Sequence, residues 1–224
     1  MCLFPHYTHI INPKLKHIYL SFDDEGNLLI KSPKVSQKHI EQLLIKKSKW
    51  ITRSREKLKQ KRGKTPQFDK NPTLYFMGKS YPIILAPYEK KYTKLIFDGN
   101  HFILYYKHYN QTLFQKQIDN FYKKESLAYI PPLVEKWAKL MGLNYQSIAF
   151  RKTKRQWGSC SSQNKLHFNT MIMKLPLSVI EYIVIHELAH IRHKHHQKAF
   201  WLEITQYLPD YRTAIDILKT YTTH

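Results

Sequence analysis

The chain has 224 residues, enough for one large domain or two small ones, each able to bury a core of its own. Its 42% hydrophobic and 14% aromatic content excludes a disordered polyelectrolyte, in spite of a net charge of +21 from 37 basic and 16 acidic side chains. Only two cysteines occur, Cys2 and Cys160, which excludes a disulfide framework and points to a reducing compartment.

No apolar run is long enough to span a bilayer. The opening stretch is interrupted by Pro5, His6, His9 and Pro13 and lacks a signal-peptide cleavage site, so a cytoplasmic protein that does not engage a membrane is expected. The basic excess is +13 in residues 1–110 and +8 in residues 111–224. It favours a polyanionic partner, nucleic acid or a nucleotide, through the basic surface. The plainer alternative is a lysine-rich composition that only solvates the surface.

In chain order, residues 17–22 and 27–31 predict two short strands around the turn residues Asp23-Asp24-Glu25-Gly26. Ser36 is a helix N-cap, and Ile40, Leu43, Leu44, Lys47 and Ile51 form one stripe of a helix over 36–61. Ten basic residues fall between Lys46 and Lys64, with Glu56 as the only acid and Trp50 among them. One reading makes this a solvated helix face leading into a linker, with Trp50 packed on the core. The other makes it a nucleic-acid-facing surface with an aromatic free to stack. Strands follow at 73–77, 80–85, 91–97 and 101–106, with a tight turn at Gly78-Lys79.

From Thr112 the period becomes helical, with Phe114, Ile118, Phe121 and Ala128, then Leu133, Trp137 and Leu140, marking buried stripes. Pro131-Pro132 predicts the end of one helix and the start of another, and Gly142 suits the C′ position of the second. Residues 147–153 and 165–170 read as strands joined through a turn at Trp157–Ser162, before an apolar helix from Leu177 to about Arg192. The fold class expected is α+β: a mainly antiparallel β domain with one basic helix over 1–110, and a helical domain with a short sheet over 111–224.

That last helix contains His186-Glu187-Leu188-Ala189-His190, an H-E-x-x-H. Residues four apart share a helix face, so two imidazoles can converge on one ion at about 2.0–2.1 Å each. Glu187 then stands to the side, off the metal and placed to take a proton from a bound water. Burial of these polar groups in an apolar helix needs a reason, which counts against a pair of idle core histidines.

A catalytic zinc site takes a third protein ligand. The residues available downstream are His193, His195, His196, Glu203 and Asp210. His193 lies about 10 Å along the axis from His186 if the helix continues, too far for one ion. The chain must therefore bend after about Arg192. His196 stands ten residues past His186, the interval of H-E-x-x-H-x-x-G-x-x-H sites, although His193 occupies the position of their glycine. His195 or a carboxylate are the alternatives.

These residues together resemble the YgjP-like metallopeptidase family of zincins, likened also to SprT-like proteins. The likeness lies in Trp157-Gly158-Ser159-Cys160, Leu166 with Asn169, Leu175-Pro176, Tyr182 with the H-E-x-x-H, His196 with Phe200-Trp201, and Leu208-Pro209-Asp210-Tyr211. Lys49-Trp50-Ile51 and Met77-Gly78-Lys79 look similar too. The resemblance implies a zincin-type domain with Zn2+ on His186, His190 and His196, Glu187 as base, and a protein or peptide substrate.

The expected function is zinc-dependent peptide hydrolysis by a Glu-activated, zinc-bound water, with Tyr211, Asn169 and Arg151 as candidate oxyanion donors and strand 165–170 aligning the substrate by edge pairing. Trp157-Gly158-Ser159-Cys160 is expected mainly to serve the fold, Trp157 plugging the core and Gly158 permitting a bend. A zinc phosphohydrolase acting on nucleotides is the first alternative, weakened by the lack of a glycine-rich phosphate loop. A nucleic-acid-associated protease or binding module is the second.

Overall fold

The computed structural model describes residues 6–23 and 26–223; Cys2 and the Asp24-Glu25 part of the first predicted turn lie outside them. The class is α+β, as expected, with helices and three small sheets. Two compact units divide the chain after Lys61. The boundary expected after residue 110 does not fall there, because the strands of 73–106 share one core with the helices that follow.

The first unit contains β1 (Tyr7–Ile11), β2 (Tyr19–Phe22), β3 (Leu28–Ser32) and α1 (Gln37–Lys59). The sheet order is β1-β3-β2, so the central strand is β3, whose Leu28 and Ile30 are fully buried. The Ser36 side chain caps α1 by accepting from the His39 N–H. Ile40, Leu44 and Ile51 turn one face of α1 onto the sheet. Trp50 is not in that core: it is 43% exposed, its ring tilted against Phe22 at 5.9 Å.

The second unit opens with β4 (Thr73–Phe76), β5 (Lys79–Pro87), β6 (Lys94–Phe97) and β7 (Phe102–Tyr106), in the order β4-β5-β7-β6. The antiparallel pairing expected here holds for β4–β5 and β6–β7, whereas β5 and β7 are parallel. Alternation along a strand fixes which face is buried but not which strand lies alongside. The β4–β5 turn has positive φ at both Met77 and Gly78, the two-residue type I′ geometry. Met77 and Gly78 donate their N–H groups to the carbonyls of Met173 and Lys174, and a Cβ on Gly78 would meet Pro176 at 2.8 Å. This hairpin tip thus seats the segment that leads into the site-bearing helix.

Helix α2 (Gln111–Met141) runs unbroken through Pro131 and Pro132, where two helices were expected. Its buried positions Phe114, Ile118, Tyr122, Ser126, Ile130, Val134 and Ala138 recur every four residues on both sides of the prolines. The carbonyls deprived of helical partners belong to Leu127 and Ala128, both exposed residues. Burial of a continuous stripe outweighs the local break. Gly142 ends the helix at φ 63°, as expected of a C′ glycine.

Next come β8 (Ser147–Arg151), β9 (Gly158–Cys160) and β10 (Lys165–Asn169), ordered β8-β10-β9. Residues expected to be only a turn therefore include an edge strand, and β10, expected to offer its edge to a substrate, is paired on both sides. A 3-10 turn at Thr170–Lys174 leads into α3 (Leu177–Arg192), followed by α4 (Lys198–Tyr207) and α5 (Tyr211–Leu218). No helix among the described residues is long and apolar enough to cross a membrane.

Candidate metal centre

Nine positions of α3 are buried, Glu187 among them, because the helix is packed against β9, α2, α4 and α5. It stops at Arg192. His193 leaves it in an extended conformation, φ −121°, and its N–H still bonds to Ala189. An extended cap residue needs no glycine, so a histidine in that position does not obstruct the turn. The return is clamped by Glu203, a buried carboxylate that accepts from Arg192 and lies 2.8 Å from His193 Nε2.

After that turn the chain brings His196 back beside His186 and His190. One ring nitrogen from each of the three lies within 4.8 Å of the other two. His195, Glu203 and Asp210 are not in this cluster. His186 and His196 face each other through their Nε2 atoms at 3.1 Å. Two nitrogens on one tetrahedral zinc stand about 3.3 Å apart, given bond lengths of about 2.05 Å. The donor set therefore suits that ion.

Both outer nitrogens of the helix pair are occupied. His190 Nδ1 donates to the His193 carbonyl at 3.0 Å, which leaves its Nε2 lone pair for the centre. His186 Nδ1 sits 3.1 Å from the Tyr182 hydroxyl. Phe200, fully buried, lies under all three rings, with centroids 5.0 Å from His186 and 4.7 Å from both His190 and His196. The Trp201 indole stacks on His196 at 5.7 Å and donates to its carbonyl, and Tyr211 stacks on Trp201 at 5.3 Å.

Burial favours the neutral forms of His186, His190 and Glu187. The His186 imidazole is pushed down to about 3, first by desolvation and then by His190 and His196. Desolvation also lowers His190. Neutral imidazoles are the form that binds a cation. The Glu187 carboxyl, buried without a positive partner, is pushed up to about 8. A cation in the triad would draw it back down.

Glu187 is positioned by a residue whose part was not legible in the chain. A Cβ on Gly158 would stand 2.7 Å from both Glu187 Cγ and Oε1. Gly158 has no positive φ, so the glycine is needed here for its missing side chain and not for the bend expected of it. Trp157 is only partly buried against the core and does not plug it. Tyr182 also went unassigned to any role from sequence, although its spacing of four from His186 places it on the same face.

The three expected oxyanion donors part company. Asn169 is spent on structure: its Nδ2 donates to Thr153 O, Thr153 Oγ1 and Gln156 O, and its Oδ1 caps Met171. Arg151 reaches Ser159 Oγ at 3.4 Å, across the sheet. Tyr211 alone belongs to the aromatic wall beside the histidines, packed parallel to Tyr182 at 6.5 Å.

Two imidazoles and a buried carboxylate on one helix, closed by a third imidazole from the returning chain, form a donor set able to hold a divalent ion. The family described as YgjP-like, metallopeptidase domain, matches residues 16–221, and the chain belongs to it. Among solved structures, the metallopeptidase zymogen abylysin of Pyrococcus abyssi is similar at 23% identity and a TM-score of 0.38, over 40% of this chain and 90% of its own. The metallopeptidase zymogen jannalysin of Methanocaldococcus jannaschii is similar at 22% identity and a TM-score of 0.35, over 39% of this chain and 93% of its own. No curated protein matches the chain.

Proposed function

We propose that the chain is a zinc metallopeptidase in which His186, His190 and His196 hold the ion and Glu187 is the general base. The observation that carries this reading is the convergence of three imidazole nitrogens within 4.8 Å beside a buried carboxylate that has no partner of opposite charge among the described residues. When bound, zinc supplies Lewis acidity toward a carbonyl oxygen and makes a coordinated water easier to deprotonate near neutral pH.

The remaining steps belong to the protein. Glu187 takes the proton of the attacking water and returns it to the leaving amine, as a carboxylate in the ionised form that a neighbouring cation favours. Gly158 lets the edge strand β9 pass against that carboxylate. The outer edge of β9 is the one beside the centre that carries no strand partner among the described residues, so an extended peptide pairs there and not on β10. Of the three candidate donors only Tyr211 has its ring in the aromatic wall beside the histidines, and its hydroxyl is assigned to the developing oxyanion.

The test is zinc content and peptide hydrolysis, measured on casein and a mixed peptide library. Glu187→Gln should keep stoichiometric zinc and lose at least about 100-fold in turnover. His196→Ala should lose zinc while His195→Ala keeps it. Undiminished hydrolysis by Glu187→Gln sinks the mechanism. Turnover of nucleoside triphosphates with none of peptides would move the reading to a phosphohydrolase.

A further inference from the structure

On α1, at 100° per residue, Leu43, Lys46, Lys47, Trp50, Arg53 and Lys57 fall within a sector of about 120°. Lys46, Lys47, Arg53 and Lys57 are exposed and recur along about 16 Å of helix. None of the four pairs with a carboxylate among the described residues. The two acids of the helix, Glu41 and Glu56, lie roughly 100° or more from the centre of that sector. Asp23, next to β2, is engaged by Asn27. Four exposed cations on one face make a local positive field that a polyanion can engage at all four points at once.

An apolar groove of about 260 Å³ runs beside this stripe, lined by Ile18, Leu20, Leu43, Lys47 and Trp50. Trp50 forms its aromatic wall and keeps 43% of its surface in water, where a helix residue serving only the core would be covered. We propose that this face binds single-stranded nucleic acid without sequence preference, its cations on the phosphates and one base stacked on Trp50 in the groove. A flat aromatic slot rimmed by cations recognises a base face and its phosphate together. In a duplex that face is covered by its neighbours, which selects a single strand. An acidic peptide would satisfy the cations and leave the slot without a ring to stack. The proposal does not rest on the peptidase reading, since it concerns the first unit alone.

The experiment is fluorescence anisotropy of a labelled oligo(dT) against the full-length protein over a salt series, with labelled polyglutamate in parallel. Oligo(dT) binding is expected to weaken steeply with salt. Replacing Lys46, Lys47, Arg53 and Lys57 together by Gln should flatten the log–log slope by about 3, at about 0.7 per phosphate contact. Trp50→Ala should lower affinity at least about fivefold with the slope unchanged. A control with Lys90, Lys91, Lys123 and Lys139 changed to Gln, all exposed in the second unit, should leave the slope nearly as it was. Glu187→Gln should bind as the wild type does, whatever becomes of hydrolysis. Absence of binding at low salt, or a control that flattens the slope as much, overturns the proposal. So does polyglutamate bound as tightly as oligo(dT) with Trp50→Ala unaffected, which would make the face a site for acidic proteins.

Discussion

Gly158 and Glu187 touch: the α-carbon of one leaves no room for a methyl group against the carboxylate of the other, since a Cβ would come within 2.7 Å. The strand edge that would receive a substrate and the group that would move its proton are thus set by a single contact. Gly158→Ala must displace either the strand or the carboxylate. Turnover should fall about 100-fold, the scale of a misplacement of about 1 Å. Zinc content should hold, because the nearest atoms that the added methyl would meet belong to Glu187 and not to the histidines. Full activity in this variant would show that the contact does not position Glu187.

Tyr182 reaches His186 Nδ1 at 3.1 Å and packs parallel to Tyr211. Tyr182→Phe keeps the packing and removes the hydroxyl. Zinc affinity, read by competition with a chromogenic chelator, should drop about tenfold. An unchanged affinity would mean that the hydroxyl does not hold the imidazole in place.

Metal removal should expose the acid sensitivity of the triad. In chelator, His186 stays neutral in the folded chain down to about 3, whereas an unfolded histidine takes its proton near its ordinary value of 6.5. Between these limits the unfolded state holds the extra proton, so stability falls as pH falls, by about 1.4 kcal/mol per pH unit at most. Thermal melts of the metal-free wild type should therefore drop more between pH 7 and pH 4 than those of His186→Leu. Parallel curves would refute the assignment.

Lys174 is buried, and its ammonium donates to the Gly63 carbonyl at 2.6 Å. Desolvation, then Lys152, pushes it down to about 7, with Asp119 opposing them, and the Tyr122 ring lies 5.7 Å away. From pH 7 to its ordinary 10.5 the unfolded chain holds the extra proton, so stability rises with pH across that window. The melting temperature of Lys174→Met relative to wild type should be highest near pH 6 and decline toward pH 10. A difference independent of pH would mean that the lysine is not desolvated.

Nearest-neighbour chemistry made much of this protein legible without a structure. The face shared by His186 and His190, the Ser36 cap and the Gly142 stop all follow from helical period and backbone preference, which depend on residues a few positions apart. The central place of β10, the continuity of α2 across Pro131-Pro132 and the close approach of Gly158 to Glu187 do not. Each is decided by surfaces distant in the chain that bury one another, and burial of a whole face outweighs the local signal. The third imidazole stood between the two: its interval suggested His196, but only the clamp of Glu203 on Arg192 and His193 turned the chain so that this ring, and not that of His195, joined the pair.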